Sequence, residues 1–167
     1  MERPQNERDL ARSQLNLHTR LENQIINEIN REPIRYGDTL QAADWKRKFS
    51  FPEVIHRPTK ASRKYNCHGL TFASRRTWIQ YPSEIAKIIL EDDYRVVADQ
   101  EVLPGDVVVY YKDGDAEHSG TVVRVDRIMG LPCPMILSKW GGCHEVIHPV
   151  GRCPFDSQNV IYYRIDT

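Results

Sequence analysis

Tyr65-Asn66-Cys67-His68-Gly69-Leu70-Thr71-Phe72 decides how this chain reads, together with Leu103-Pro104-Gly105-Asp106-Val107-Val108-Val109-Tyr110 and His118-Ser119-Gly120-Thr121-Val122-Val123 further on. The first stretch sets a cysteine at the start of a predicted helix that runs to about Trp78. Unpaired backbone N–H groups and the positive end of the helix dipole stabilise a thiolate there, and Arg63 and Lys64 stand just upstream. Taken alone, such a cysteine also fits a buried structural thiol, which behaves as a small hydrophobe. The second and third stretches read as a strand, a polar turn and a strand opened by a histidine.

Outward from this nucleus, a second helix is expected from Ser83 to Leu90, with Ser83 as N-cap and Ile85, Ile88 and Ile89 as its apolar stripe. Beyond Asp93 the texture changes to β-branched runs: Tyr94 to Ala98, Asp106 to Tyr111, Ser119 to Val125, Met135 to Trp140 and Val160 to Ile165. Pro104-Gly105 and Asp113-Gly114 mark turns. Helices followed by an antiparallel sheet make an α+β domain. Upstream, Leu10, Leu17, Leu21, Ile25 and Ile29 predict an amphipathic helix from about Glu7 to Arg31, closed by Pro33. It buries its stripe on the domain or, by self-association, on another copy. Residues 34 to 64 read as loop with short helical pieces near Ala42 to Lys48. The organisation expected is an N-terminal helical segment over 1–50 and a main domain over 51–167.

At 167 residues the chain can bury a core without metals or disulfides. Its 23 basic and 23 acidic side chains cancel without gathering into a basic face, which argues against nucleic acid as a partner. The first thirty residues are charged throughout, so neither a signal-peptide core nor a membrane span is read there. A cytoplasmic protein is expected, able to reach a cell wall only by a dedicated export route or lysis, with Cys67, Cys133, Cys143 and Cys153 as reduced thiols.

The order of the three motifs resembles that of NlpC-type peptidases and CHAP amidases, papain-like cysteine hydrolases in which a helix opening on Cys-x-Gly-Leu is followed by a Gly-Asp strand and a His-x-Gly strand. The resemblance covers roughly residues 60 to 140. It implies a papain-like core, with the nucleophile-bearing helix packed on a small antiparallel sheet, and a Cys67 nucleophile with His118 as general base. A thiol is only slightly ionised at neutral pH, so an imidazole must take its proton and later protonate the leaving amine. The third residue comes in those families from the next strand, where Ser138 can accept the imidazole N–H while a charged Lys139 can only donate. Ser138 departs from the His, Asn, Gln or acid usual there, and Glu145 or His148 remain open as orienters. The Cys67 N–H is expected in an oxyanion hole, with His56, Tyr65 and Asn66 as candidates for further contacts. An activated Cys67 should alkylate near pH 6, ahead of the other three thiols.

His144-Glu145-Val146-Ile147-His148 also fits H-E-x-x-H, which presents two zinc ligands and a glutamate base on one helix face. Gly141-Gly142 before it, β-branched residues within it and Pro149 after it oppose that helix. Cys133, Cys143 and Cys153 lack the close C-x-x-C spacing of structural zinc sites. No metal or other cofactor is therefore expected. The reading is a hydrolase cleaving a peptide, isopeptide or peptidoglycan-like amide through an acyl-thioester on Cys67. The alternatives are an inactive domain of the same fold that binds partners and, behind it, a zinc hydrolase using His144, Glu145 and His148.

Overall fold

The computed structural model describes residues 14–156 and 159–166. Among them are three α-helices, α1 (Tyr36–Lys48), α2 (Cys67–Ala73) and α3 (Pro82–Glu91). The strands are β1 (Ile55–His56), β2 (Tyr94–Val97), β3 (Val107–Lys112), β4 (Asp115–Ile128), β5 (Leu131–Lys139), β6 (Glu145–Pro149) and β7 (Val160–Ile165). They form one antiparallel sheet in the order β1-β6-β5-β4-β3-β7-β2. The α+β class expected from the pattern is the class observed. No helix among the described residues is long and apolar enough to cross a membrane.

Both faces of the sheet are covered, which follows from the apolar run Val107-Val108-Val109-Tyr110 at its centre. Val107 and Val109 face α2, α3 and the segment before them, in a core with Ile25, Ala73, Ile79 and Ile85. Val108 and Tyr110 face the other way, into a core with Val122, Ile136, Trp140 and Val146. Over that second core lie Trp45 of α1, Phe49 and Phe155.

α1 is longer than the short pieces expected there. Its first turn is closed by the Arg35 amide donating to Asp38 Oδ2 at 3.0 Å, and Lys46, Arg47 and Lys48 suit its C-terminal dipole. α3 starts one residue before Ser83: Pro82 takes the first helical position and Tyr81 the cap.

The amphipathic helix expected from Glu7 to Arg31 is not formed over the described part, 14–31, which is an extended strap; residues 7–13, with Leu10, lie outside the described residues. Side chains that compete for backbone groups explain the difference. Thr19 and Asn23 close a turn with Glu22 at a φ of 62°, and Asn27 both receives the Leu15 amide and donates to its carbonyl. Of the expected stripe, Ile25 is buried while Leu21 is exposed.

Candidate functional site

α2 begins at Cys67 because Asn66 caps it, its Oδ1 accepting from the Gly69 amide at 2.9 Å. The helix stops at Ala73, short of Trp78, where Ser74 and Arg75 adopt φ of 49° and 65°. Gly69 is required here: a Cβ on it would lie 1.8 Å from the Thr77 carbonyl oxygen, so the returning chain passes against bare backbone. That return places Trp78 beside the strap, with which it exchanges two backbone hydrogen bonds through Glu28.

These elements enclose a cleft of about 580 Å³ whose lining includes Glu28, Arg35, Arg63, Cys67, His68, Trp78 and Glu117. Cys67 is nearly buried in its wall. Burial pushes the thiol up to about 11; the nearby amides of Ser119, His68 and Cys67 itself, and after them the Lys139 charge, pull the other way.

His118 does not meet Cys67. Successive strand residues point to opposite faces, and it is Ser119 whose hydroxyl reaches α2, 2.8 Å from His68 Nδ1 and 3.1 Å from Thr71 Oγ1. His118 therefore enters the other core, stacked on Phe155 at 3.8 Å between ring centroids and packed on Tyr110. Among the described residues, neither of its ring nitrogens has a hydrogen-bond partner. Burial holds its imidazole well below the usual range, and the neighbouring His148 and His68 add to the effect. The Gly120 of the His-x-Gly motif serves packing: a Cβ there would stand 2.5 Å from Ile136 Cγ2.

Ser138 shares the His118 face, through its pairing with Gly120, but its hydroxyl bonds His148 Nε2 at 2.7 Å and receives Trp140 Nε1–H at 3.1 Å. The expected orienting bond to His118 is not formed. Asn66 is largely spent on structure: its Oδ1 also accepts from the Ile79 amide, and its Nδ2 gives one of its two N–H groups to the Ile79 carbonyl. Tyr65 donates to Glu145 Oε1 at 2.8 Å, and burial followed by that carboxylate pushes its phenol up to about 12. His56 is held between His144 Nε2 and the Phe49 carbonyl.

H-E-x-x-H corrects in the same way. Glu145 to His148 lie on β6, so Glu145 and His148 point to opposite faces of the sheet. His148 enters the core with Ser138, while Glu145 receives Arg57, Arg75 and Tyr65 on the α2 side. A helical zinc site is thereby ruled out, and Glu145 is too fully bonded to orient an imidazole. No group of three or more His, Cys, Asp and Glu side chains among the described residues is arranged for a metal. All four cysteines are free thiols.

The residue that the motif reading passed over is Lys139. In the antiparallel register it stands next to Glu145 and, one step from the Gly120–Ser138 pair, opposite Ser119, so it faces α2. Its Nζ donates to the carbonyls of Ser62 at 2.7 Å, Gly141 at 2.7 Å and Cys143 at 3.0 Å, over the Tyr65 ring. Burial lowers it to about 8, opposed by Cys143 and Cys67. Strand alternation was the signal that could have found it: if Ser138 faces one way, Lys139 faces the other. His68 is the imidazole nearest in sequence to Cys67, but Ser119 and the Ala116 backbone engage it, and burial lowers it to about 4. Comparison with protein-family models, with curated proteins and with solved structures gives no match to this chain.

Proposed function

We propose that the chain is a thiol-dependent amide hydrolase on a papain-like scaffold, with Cys67 as nucleophile and Lys139, in place of His118, as the group that answers its charge. The observation that carries this reading is the setting of the sulfur: it lines a cleft at the start of α2, and buried Lys139, on the face of the sheet that α2 covers, supplies a charge that draws the thiol down. A lysine brought down to about 8 is matched to proton transfer near neutral pH. As a free amine it takes the thiol proton and becomes an ammonium that three carbonyls already surround. The thiolate then attacks the acyl carbon, the amine departs with a proton from Lys139, and water returns Cys67 from the acyl-thioester. The amides at the sulfur are also suited to the oxyanion, because donors around a nucleophile at a helix start point to where that charge develops. The substrate remains a peptide, isopeptide or peptidoglycan-like amide.

The second reading, a binding domain without turnover, is favoured by a specific observation: all three Lys139 donors and the His68 Nδ1 are engaged while the thiol is raised. Acylation with a p-nitrophenyl ester separates the two. The hydrolase reading expects an acyl group on Cys67 in peptide maps and nitrophenol release that climbs as pH passes through about 8. Cys67→Ala should abolish both and Lys139→Met should slow them at least about tenfold. His118→Phe, which preserves the stack on Phe155, should leave them near normal. Loss of acylation in His118→Phe with the fold intact would restore the Cys–His pair, and no Cys67 adduct at any pH would leave the binding domain.

A further inference from the structure

We infer that the cleft beside Cys67 takes a cationic group, a primary ammonium or a guanidinium, held by the Glu28 carboxylate and Trp78 indole together with the Glu117 carboxylate; that this group belongs to the amide substrate rests on the reading of Cys67 as nucleophile.

The charge of the cleft is not what its composition first suggests. Glu28, Glu32, Glu117, Arg35 and Arg63 all line it, which looks nearly balanced. Both arginines have carboxylate partners: Arg35 has Glu32, and Arg63 has Glu32 at 3.2 Å and, by ion pairing alone, Asp38 at 3.5 Å from an Nε that makes no hydrogen bond among the described residues. Among the described residues the carboxylates of Glu28 and Glu117 form no hydrogen bond or ion pair, and both residues are exposed. His68 is neutral, and Lys139 is not among the residues that line the cleft. The unpaired carboxylates therefore leave the cleft negative. An anionic group would have to compete with Glu32 and Asp38 for Arg63, whereas a cation gains two carboxylates and displaces none.

Backbone geometry puts the parts in place. Glu28 and Trp78 exchange both main-chain bonds, N–H to O at 2.8 and 2.9 Å, as a hydrogen-bonded antiparallel pair. In such a pair the two side chains stand side by side, about 5 Å apart at Cβ. A carboxylate beside the face of an indole is a cation site, since the charge and the negative face of the ring quadrupole act together. Trp78 is half-buried and lines the cleft, so its ring is fixed yet accessible. Glu117 comes from a bulge: the β3–β4 register passes from Tyr110 opposite His118 to Tyr111 opposite Ala116, leaving Glu117 as the extra residue. A bulge re-aims a side chain, and this one delivers its carboxylate to the cleft, two residues from the Ser119 amide at the sulfur.

The test reads charge preference at Cys67 itself. The full-length protein is treated at about pH 8, where some thiolate is present, with methanethiosulfonates carrying either a trimethylammonioethyl or a sulfonatoethyl group. Modification of Cys67 is followed by peptide mapping, and each rate is divided by that for a small free thiol. The cationic reagent should react about tenfold faster at low salt, and the preference should shrink as salt screens the carboxylates. The double substitution Glu28→Gln and Glu117→Gln, both at exposed positions, should bring the ratio close to one. Equal rates, a preference for the anion, a preference that survives the double substitution, or no modification of Cys67 by either reagent would each overturn the inference. If the preference is present but the nitrophenyl ester leaves no acyl-enzyme, the site stands as a cation-binding cleft and only the hydrolase reading falls.

Discussion

Lys139 is fully buried, and an ammonium in that position is tolerated only because three carbonyls and an aromatic face replace its water. Lys139→Met removes the cation and leaves the carbonyls of Ser62, Gly141 and Cys143 short of a donor, so it should cost about 1–3 kcal/mol of stability, read by denaturant unfolding. An unchanged midpoint would show that the carbonyls find other partners. The same substitution removes the one charge that draws the thiol down, so Cys67 should become harder to ionise. The wild-type thiol is itself a correction to the sequence reading. A helix start and a nearby base predict labelling near pH 6, but burial outweighs the three amides and raises the thiol to about 11. Iodoacetamide should therefore label half-exposed Cys133 first, and Cys67 should stay largely unmodified near pH 6 and gain reactivity as pH rises beyond about 8. Rapid labelling of Cys67 at pH 6 would mean that the sulfur is ionised in the resting protein.

At the scale of elements, α2 depends on two neighbours in sequence. Asn66→Ala removes the cap on Gly69 and the two bonds that tie the helix start to Ile79, and should cost about 1–3 kcal/mol. Gly69→Ala forces the helix off Thr77 and should cost about as much through overpacking; thermal melts of both variants check this, and a melt within a degree of wild type for Gly69→Ala would contradict the close approach. α2, α3 and five of the seven strands were legible because each has a local signal: an N-cap, a 3.6-residue stripe, or a β-branched run between turn residues. β1 and β6 lacked one. β1 is two residues long, and β6 is hidden under a metal motif, although Val146, Ile147 and Pro149 already opposed the helix that motif needs. The strap was misread because its leucines and isoleucines keep a helical spacing, while Thr19, Asn23 and Asn27 bind backbone locally and to Thr77. In the candidate site Cys67 was legible from its place before Gly69 and Leu70. Lys139 and the wrong face of His118 were not, because the face of a strand residue depends on register, and the β4 bulge at Glu117 shifts that register by one.

For the whole molecule, the core on the side of the sheet away from α2 is built around Trp140 and an unusual number of imidazoles. His56 and His148 lie within 6 Å of its ring by centroid, His144 touches His56 at 2.8 Å, and His118 packs between Tyr110 and Phe155. Burial lowers His144 and His148 to about 4 and holds His118 well below the usual imidazole range. An unfolded histidine titrates near 6.5, so between about 6.5 and 4 the unfolded chain binds protons that the folded chain refuses. Stability from these neutral imidazoles is therefore full above about pH 6.5 and drains away as pH falls toward 4. Asp106 and Glu145 are also expected to contribute to acid unfolding: burial raises both, but Arg164 for Asp106, and Arg75 with Tyr65 for Glu145, leave each below its ordinary value. Their share is lost only once pH passes below the ordinary carboxylate range, about 4. The two contributions thus occupy separate windows. Urea midpoints read by tryptophan fluorescence should fall already between pH 7 and 5, where carboxylates still hold their charge. His118→Phe keeps the aromatic stack and deletes one refused proton, so its midpoint should fall less steeply over that interval and exceed wild type at pH 5. Midpoints that stay level from pH 7 to 5, or a His118→Phe slope equal to that of wild type, would show that this core does not refuse the proton.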